Sequence, residues 1–209
     1  MEFISIKTFE SKKDAFIDNN FLKLYKKFSP GPLTFILRKK EKSKISRFAN
    51  ANLNTIAVRF PNNKVIRSLL KKLNFPLAVP SANISTGVSP TEPADVIDEF
   101  KDNIKFILDG GKSRIGLEST VVNLCGQINI LRPGSINNAE ITKVVGKKVF
   151  NIVKLKKIIS PGLLKRHYSP GIPIKLNVKR SDDKAAFIVF GKKYKNRNCL
   201  LYTSPSPRD

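Results

Sequence analysis

Several short stretches of the chain carry side chains suited to holding an anion. They are Thr55 and Arg59 in TIAVRFP, Ser81 and Asn83 in PSAN, Ser89 in the SPT that follows, Ser119 in GLEST, and Arg132 in ILRPG. An arginine forks two donors onto a phosphate or carboxylate, and a serine or threonine hydroxyl both donates and accepts. The turn-rich run LAVPSANISTGVSPT, from Leu77 to Thr91, contains no Cys, His, Asp or Glu. It therefore offers no metal ligand, general base or activated nucleophile. The chemistry these residue types suit is binding of an anion with sugar and base attached. Taken singly each signal is weak, because a lone Arg after a strand is more often a surface ion pair and a Ser/Asn turn is more often only a turn.

Such groups can act together only if the elements bring them to one place. Phe3 to Ile6 reads as a strand, and Asp14 to Lys27 has a helical period through Phe16, Ile17, Phe21, Leu22, Leu24 and Tyr25. SPGP then forces an irregular turn before the strand Leu33 to Leu37. Thr55 to Phe60 reads as a strand, Asn63 to Leu73 as a helix, Leu77 to Val79 as a strand and Pro93 to Phe100 as a helix with Pro in its first turn. After FILDGG come two β-rich segments, Ser119 to Leu124 and Ile128 to Leu131. Strands and helices alternate without a clean βαβ repeat, so the expected class is α/β, a mixed twisted sheet with flanking helices. Each candidate residue falls at or just past a strand end, where such sheets present their ligand-binding loops.

The chain has 209 residues, 41% of them hydrophobic, enough for one large domain or one domain and part of another. No apolar run approaches the roughly 20 residues that span a bilayer, and no signal peptide follows Met1; a soluble, cytoplasmic protein with no membrane partner is expected. The two cysteines, Cys125 and Cys199, have neither disulfide nor zinc spacing, and no metal site is read from the residues. The formal net charge of +23 admits an RNA partner, double-stranded RNA included. It does not demand one, because the excess is lysine spread along the chain with abundant Asn and Ile, the signature of an AT-rich coding sequence.

Taken together, in this order, KKFSPGPLTFIL, TIAVRFP, PLAVPSANISTGVSPT, FILDGG, GLESTVV and ILRPGSI closely resemble the threonylcarbamoyl-AMP synthase family and its YrdC-like fold, from Met1 to about Ile136. The resemblance implies a nucleotidyltransferase that condenses L-threonine, bicarbonate and ATP to threonylcarbamoyl-AMP and pyrophosphate, with Mg2+ accompanying ATP. A threonylcarbamoyl transferase then modifies tRNA. By matching positions, Ser81, Ser89 and Arg132 contact the nucleotide, with Thr55 on the same side of the pocket and Asn83 lining the cleft. Arg59, the Val79 backbone and the Ser119 hydroxyl hold threonine. No catalytic side chain is assigned; Asp109 and Glu118, the nearest acids, are weighted toward turn and capping roles.

The resemblance also orders the rest of the chain. Residues 1–150 correspond to the catalytic domain, and residues 151–173, with SPGLLKRHYSPGIP, to the linker of the two-domain members, where Tyr168 beside His167 closes on the nucleotide; a solvated linker is the competing reading. Residues 174–198 begin a small C-terminal α/β domain, with strands at Ile174 to Val178 and Ala185 to Gly191. CLLYTSPSPRD, residues 199–209, reads as translated sequencing-library adapter and is set aside from the fold. The family pattern places a threonine-bearing strand and a K-x-R helix before the segment matching MEFISIKTFESKK. Truncation at both ends is therefore expected, and with it a 209-residue chain that releases no pyrophosphate. A non-catalytic, basic RNA-binding module of the same fold is the alternative.

Overall fold

The structure is a computed structural model that describes residues 3–5, 13–84, 87–151, 173–176, 178, 187–190 and 201–204. The chain divides into two compact units, Met1–Pro170 and Gly171–Asp209.

The first unit is built on a seven-stranded sheet. Its strands are β1 (Phe3–Ser5), β2 (Leu33–Arg38), β3 (Thr55–Arg59), β4 (Leu77–Val79), β5 (Thr120–Asn123), β6 (Asn129–Arg132) and β7 (Phe150–Asn151). They lie in the order β4-β1-β3-β2-β5-β6-β7. Pairing is mixed: β1 runs parallel to β3, β2 to β5 and β6 to β7, whereas β1–β4, β2–β3 and β5–β6 are antiparallel. The α/β class expected from the alternation is the one observed.

Four helices accompany the sheet: α1 (Asn19–Phe28), α2 (Lys64–Lys72), α3 (Pro93–Phe100) and α4 (Asn138–Val145). Each begins where a side chain can satisfy the free amides of a first turn. Asp18 Oδ1 accepts from Phe21 N at 2.8 Å, and Asn63 Oδ1 from Val65 N at 2.9 Å. In α4, Asn137 and Glu140 exchange reciprocal bonds of 2.9 Å, and Gly146 ends the helix with φ of 70°. Proline at the start of α3 matches the expectation. The helix α4 and the short β7 are not evident in the sequence, because NNAEITKVVG fully buries only Ile141 and Val145, with Val144 partly buried against the same core, a short stripe.

The strands bury both faces. Alternate residues of β2 and β3, namely Leu33, Phe35, Leu37, Ile56 and Val58, join Phe21 and Leu24 of α1 and Ile141 and Val145 of α4 in the main core. Phe21 meets Phe35 edge-on at 4.9 Å between ring centroids, and Tyr25 meets Phe60 at 4.7 Å. The opposite face carries a small cluster of Ile36, Ala57, Val121 and Leu131, with Cys125 packed against it. Burial pushes the Cys125 thiol pKa up, as befits a packing residue at a strand end.

In the second unit, β8 (Phe187–Phe190) pairs in parallel with β9 (Leu201–Ser204). The strand expected at 185–191 is therefore present. The one expected at 174–178 is not: Pro173 to Leu176 and Val178 form no strand, and Ile174 and Leu176 are 61% and 80% exposed. No strand pairs with this run among the described residues, and composition alone does not make a strand without a partner for its backbone groups. Part of residues 199–209 supplies β9, since the Leu, Tyr and Thr of LYTS have the apolar, aromatic and β-branched composition that suits strand pairing. No helix among the described residues is long and apolar enough to cross a membrane.

Candidate functional site

The register of the sheet gathers polar side chains at one end of one face. Thr34, the second residue of β2, lies directly opposite Arg59, which closes β3. β5 runs parallel to β2, with Thr34 beside Val121, so Ser119 reaches the same end. β6 returns antiparallel and ends there at Arg132. Strict alternation would turn Arg132 toward the α1 and α4 side with Ile130. A register shift pairs Val121 with Arg132 but Val122 with Ile130, so Leu131 is the extra residue of a bulge. The bulge puts Arg132 on the face of Val121 and Arg59, a known use of such irregularities beside binding sites.

Hydrogen bonds then lock the cluster. Arg132 Nε and Nη2 donate to the Ser119 carbonyl at 3.2 and 2.9 Å, and Nη2 also to Ser119 Oγ at 3.1 Å. Ser119 Oγ shares a 2.7 Å bond with Thr34 Oγ1. Glu118 bridges outward, with Oε2 3.3 Å from Arg132 Nη2 and Oε1 accepting from Ser89 Oγ at 2.8 Å. Thr120 Oγ1 donates to the Ile136 carbonyl at 2.7 Å and holds the loop after Arg132 against β5. Glycine is required at 134, where a Cβ would collide with the Glu118 carbonyl oxygen, Ser119 C and Thr120 N.

Arg59 is the least satisfied member. Its Nε is buried with no hydrogen-bond partner among the described residues. Burial lowers its pKa, the Glu118 carboxylate opposes that shift, and Arg132 adds to it. A guanidinium stays charged regardless, so among the described residues Arg59 and Arg132 set two cations beside the Glu118 carboxylate. An excess of positive charge at a desolvated place is what an anionic ligand would neutralise.

The other sequence-derived candidates fall elsewhere. Thr55 begins β3 beside Arg38, about 13 Å from Arg59 at about 3.3 Å per residue. Val79 is half-buried in β4 and paired with Phe3. Ser81 is exposed on the loop that follows. Asn83 closes its own turn, with Nδ2 donating to the Ile84 carbonyl at 2.8 Å, while its Oδ1 is buried without a partner among the described residues. Tyr168 lies outside the described residues. Two members of the cluster, Thr34 and Glu118, do not stand out as ligand groups in the sequence. Thr34 sits in GPLTFIL one residue out of phase with the apolar positions, and its place opposite Arg59 is a matter of register. Glu118 was weighted toward capping, and it instead ties Ser89 to Arg132.

Residues 4–134 match the Sua5–YciO–YrdC family, described as telomere recombination. The chain is 40% identical over 156 residues to a threonylcarbamoyl-AMP synthase of Pyrococcus abyssi, covering 72% of this chain and 45% of that protein. It is 39% identical over 184 residues to the protein of that name in Schizosaccharomyces pombe, covering 82% and 45%. The crystal structure of Pyrococcus abyssi Sua5 complexed with L-threonine superposes with a TM-score of 0.84 at 30% identity, over 98% of this chain and 66% of that one. The chain thus spans about half the length of the curated relatives it matches. Matched through most of the unit that carries the arginine cluster, the chain belongs to the Sua5–YciO–YrdC family.

Proposed function

We propose that this chain carries the ligand-binding core of a threonylcarbamoyl-AMP synthase, which forms threonylcarbamoyl-AMP and pyrophosphate from L-threonine, bicarbonate and ATP for tRNA modification. The observation that carries the reading is the pair of half-buried Arg59 and buried Arg132 around Ser119, with a buried Arg59 Nε that has no partner among the described residues. Arg59, Ser119 and the Val79 backbone take threonine. Ser89 and Arg132, with Ser81, Asn83 and Thr55 along the cleft, take the nucleotide, and Tyr168 closes over it. The relative seen complexed with L-threonine supports the amino-acid half of this reading.

The chemistry asks little of protein nucleophiles. The threonine amine adds to the carbon of bicarbonate, losing water, and a carbamate oxygen then attacks the α-phosphorus while the bond to pyrophosphate breaks. The protein's part is to hold both anionic reactants close and to stabilise charge with fixed guanidiniums. Mg2+ would enter on the ATP phosphates, keeping most of its waters. Among the described residues no group of three or more His, Cys, Asp or Glu lies together, so the ion's ligands would come from ATP and solvent. The transferase that consumes the product, and tRNA itself, would be met in the cytoplasm.

Isothermal titration of the chain with L-threonine tests the reading. Saturable binding that Arg59→Met abolishes is expected. No heat with L-threonine, together with salt-dependent binding of double-stranded RNA, would replace this reading with the RNA-binding module that the +23 charge allows.

A further inference from the structure

Glu118 stands where a ligand's anion is needed. Its carboxylate takes the single proton that Ser89 Oγ can donate, at 2.8 Å, and lies 3.3 Å from Arg132 Nη2. A nucleotide phosphate is an acceptor and has no proton to offer Ser89 in return. Ser89 therefore cannot bond a phosphate while it is bonded to Glu118. The same carboxylate acts electrostatically on Arg59, the partially unsatisfied cation of the site. On the reading above, the two groups that would grip the nucleotide are the two that Glu118 already holds.

The surroundings let it leave. Arg132 is almost sealed, with 8% of its side chain exposed, whereas 24% of the Glu118 side chain is open to solvent. The loop before it is exposed from Gly111 to Leu117, and both Gly111 and Gly116 take positive φ, 75° and 65°, with open space where a Cβ would be. The Glu118 side chain therefore has an open side to turn toward, while its carbonyl stays against Gly134 and Arg132 stays fixed on the Ser119 carbonyl.

We propose that Glu118 is an internal stand-in for the nucleotide's phosphate. It keeps Ser89 and Arg132 together in the empty site and gives way when the phosphate arrives, so that affinity for the nucleotide is set by competition with the protein's own carboxylate. Glu118 is thus a positioning residue. This rests on the synthase reading of the site.

The test compares AMP with adenosine, which differ by the phosphate alone, and uses L-threonine as an independent check of the site. In titrations of the 209-residue chain, Glu118→Gln is expected to tighten AMP about tenfold, since removing a like charge a few ångströms away is worth roughly that factor in a partly solvated site. Adenosine affinity stays unchanged. Equal or weaker AMP binding by the variant, or equal tightening of adenosine, overturns the stand-in role while L-threonine binding leaves the synthase reading intact. If neither AMP nor L-threonine binds the unmodified chain, the synthase reading fails and this one with it. Should Glu118→Gln not fold, Glu118→Asp replaces it. That carboxylate is one methylene too short to span Ser89 and Arg132, so AMP must tighten at least about twofold, and no gain refutes the proposal.

Discussion

On one face of the central sheet Phe35, Val58, Val122 and Ile130 lie under α1 and α4. One residue along on the same strands, Thr34, Arg59 and, through the bulge, Arg132 gather around Ser119 and Glu118 on the other face. The first face is held by non-directional apolar burial, in which each side chain contributes roughly in proportion to its area. The second is held by directional bonds to groups whose desolvation offsets most of what those bonds return. Stability should therefore reside in the helical face and binding in the polar one, although a single strand serves both. Substitutions that touch one face at a time can break this division or sharpen it.

The largest effect is expected from Phe21→Ala, which empties the contact of α1 with Phe35 and Phe60. Urea denaturation should show a loss of about 3–5 kcal/mol. Gly134→Ala acts where the faces meet in sequence. Its methyl has to displace the Glu118 and Ser119 backbone, so a loss of about 1–3 kcal/mol should come with weaker L-threonine binding. A stability loss with binding intact would mean that the Arg132 loop does not position the site.

Arg59→Met separates the two currencies. L-threonine affinity should fall at least about tenfold, while the thermal midpoint holds or rises, because a half-buried cation whose buried Nε has no partner among the described residues has been removed. A large drop in the midpoint would refute the division between the faces. Asn137→Ala is the converse on the helical side: losing the cap on α4 should cost about 1 kcal/mol and leave binding alone.

The smallest effect concerns α3. Asp95 accepts from the Thr91 and Glu92 amides at 2.7 and 3.1 Å, and these bonds, the Thr91 amide first, hold its pKa below the ordinary 3.8. A carboxyl depressed in the folded state adds stability above its unfolded pKa and loses it as pH falls through the folded one. Protection of the α3 amides relative to their intrinsic exchange rates should therefore fall on acidification below about pH 4, and Asp95→Asn should be slightly less protected at neutral pH and lack that dependence.

Much of this fold was legible in single residues. The strand at Thr55–Arg59, the helix between Asn63 and Leu73 and the proline-led helix Pro93–Phe100 follow from period, caps and turn chemistry, which act over a few neighbours. Arg59, Ser89, Ser119 and Arg132 were legible as a set because their types and order resemble one family. In the structure these four lie around Glu118, whereas Thr55 is at the far end of β3 and Asn83 closes its own turn. Less could be read where the signal depends on a partner. The segment 174–178 has strand-like residues with no partner strand among the described residues, and α4 has a helix's caps with only Ile141 and Val145 fully buried and Val144 partly so.

By itself the sequence determined the class, the family and the residue types able to hold an anion, because propensity, capping and motif order are local properties of a chain. Only the tertiary structure decided that Thr34 faces Arg59, that a bulge at Leu131 turns Arg132 to the same face, and that Glu118 joins Ser89 to Arg132. Those facts are set by register between strands far apart in sequence, and a one-residue shift in register exchanges the faces of a sheet.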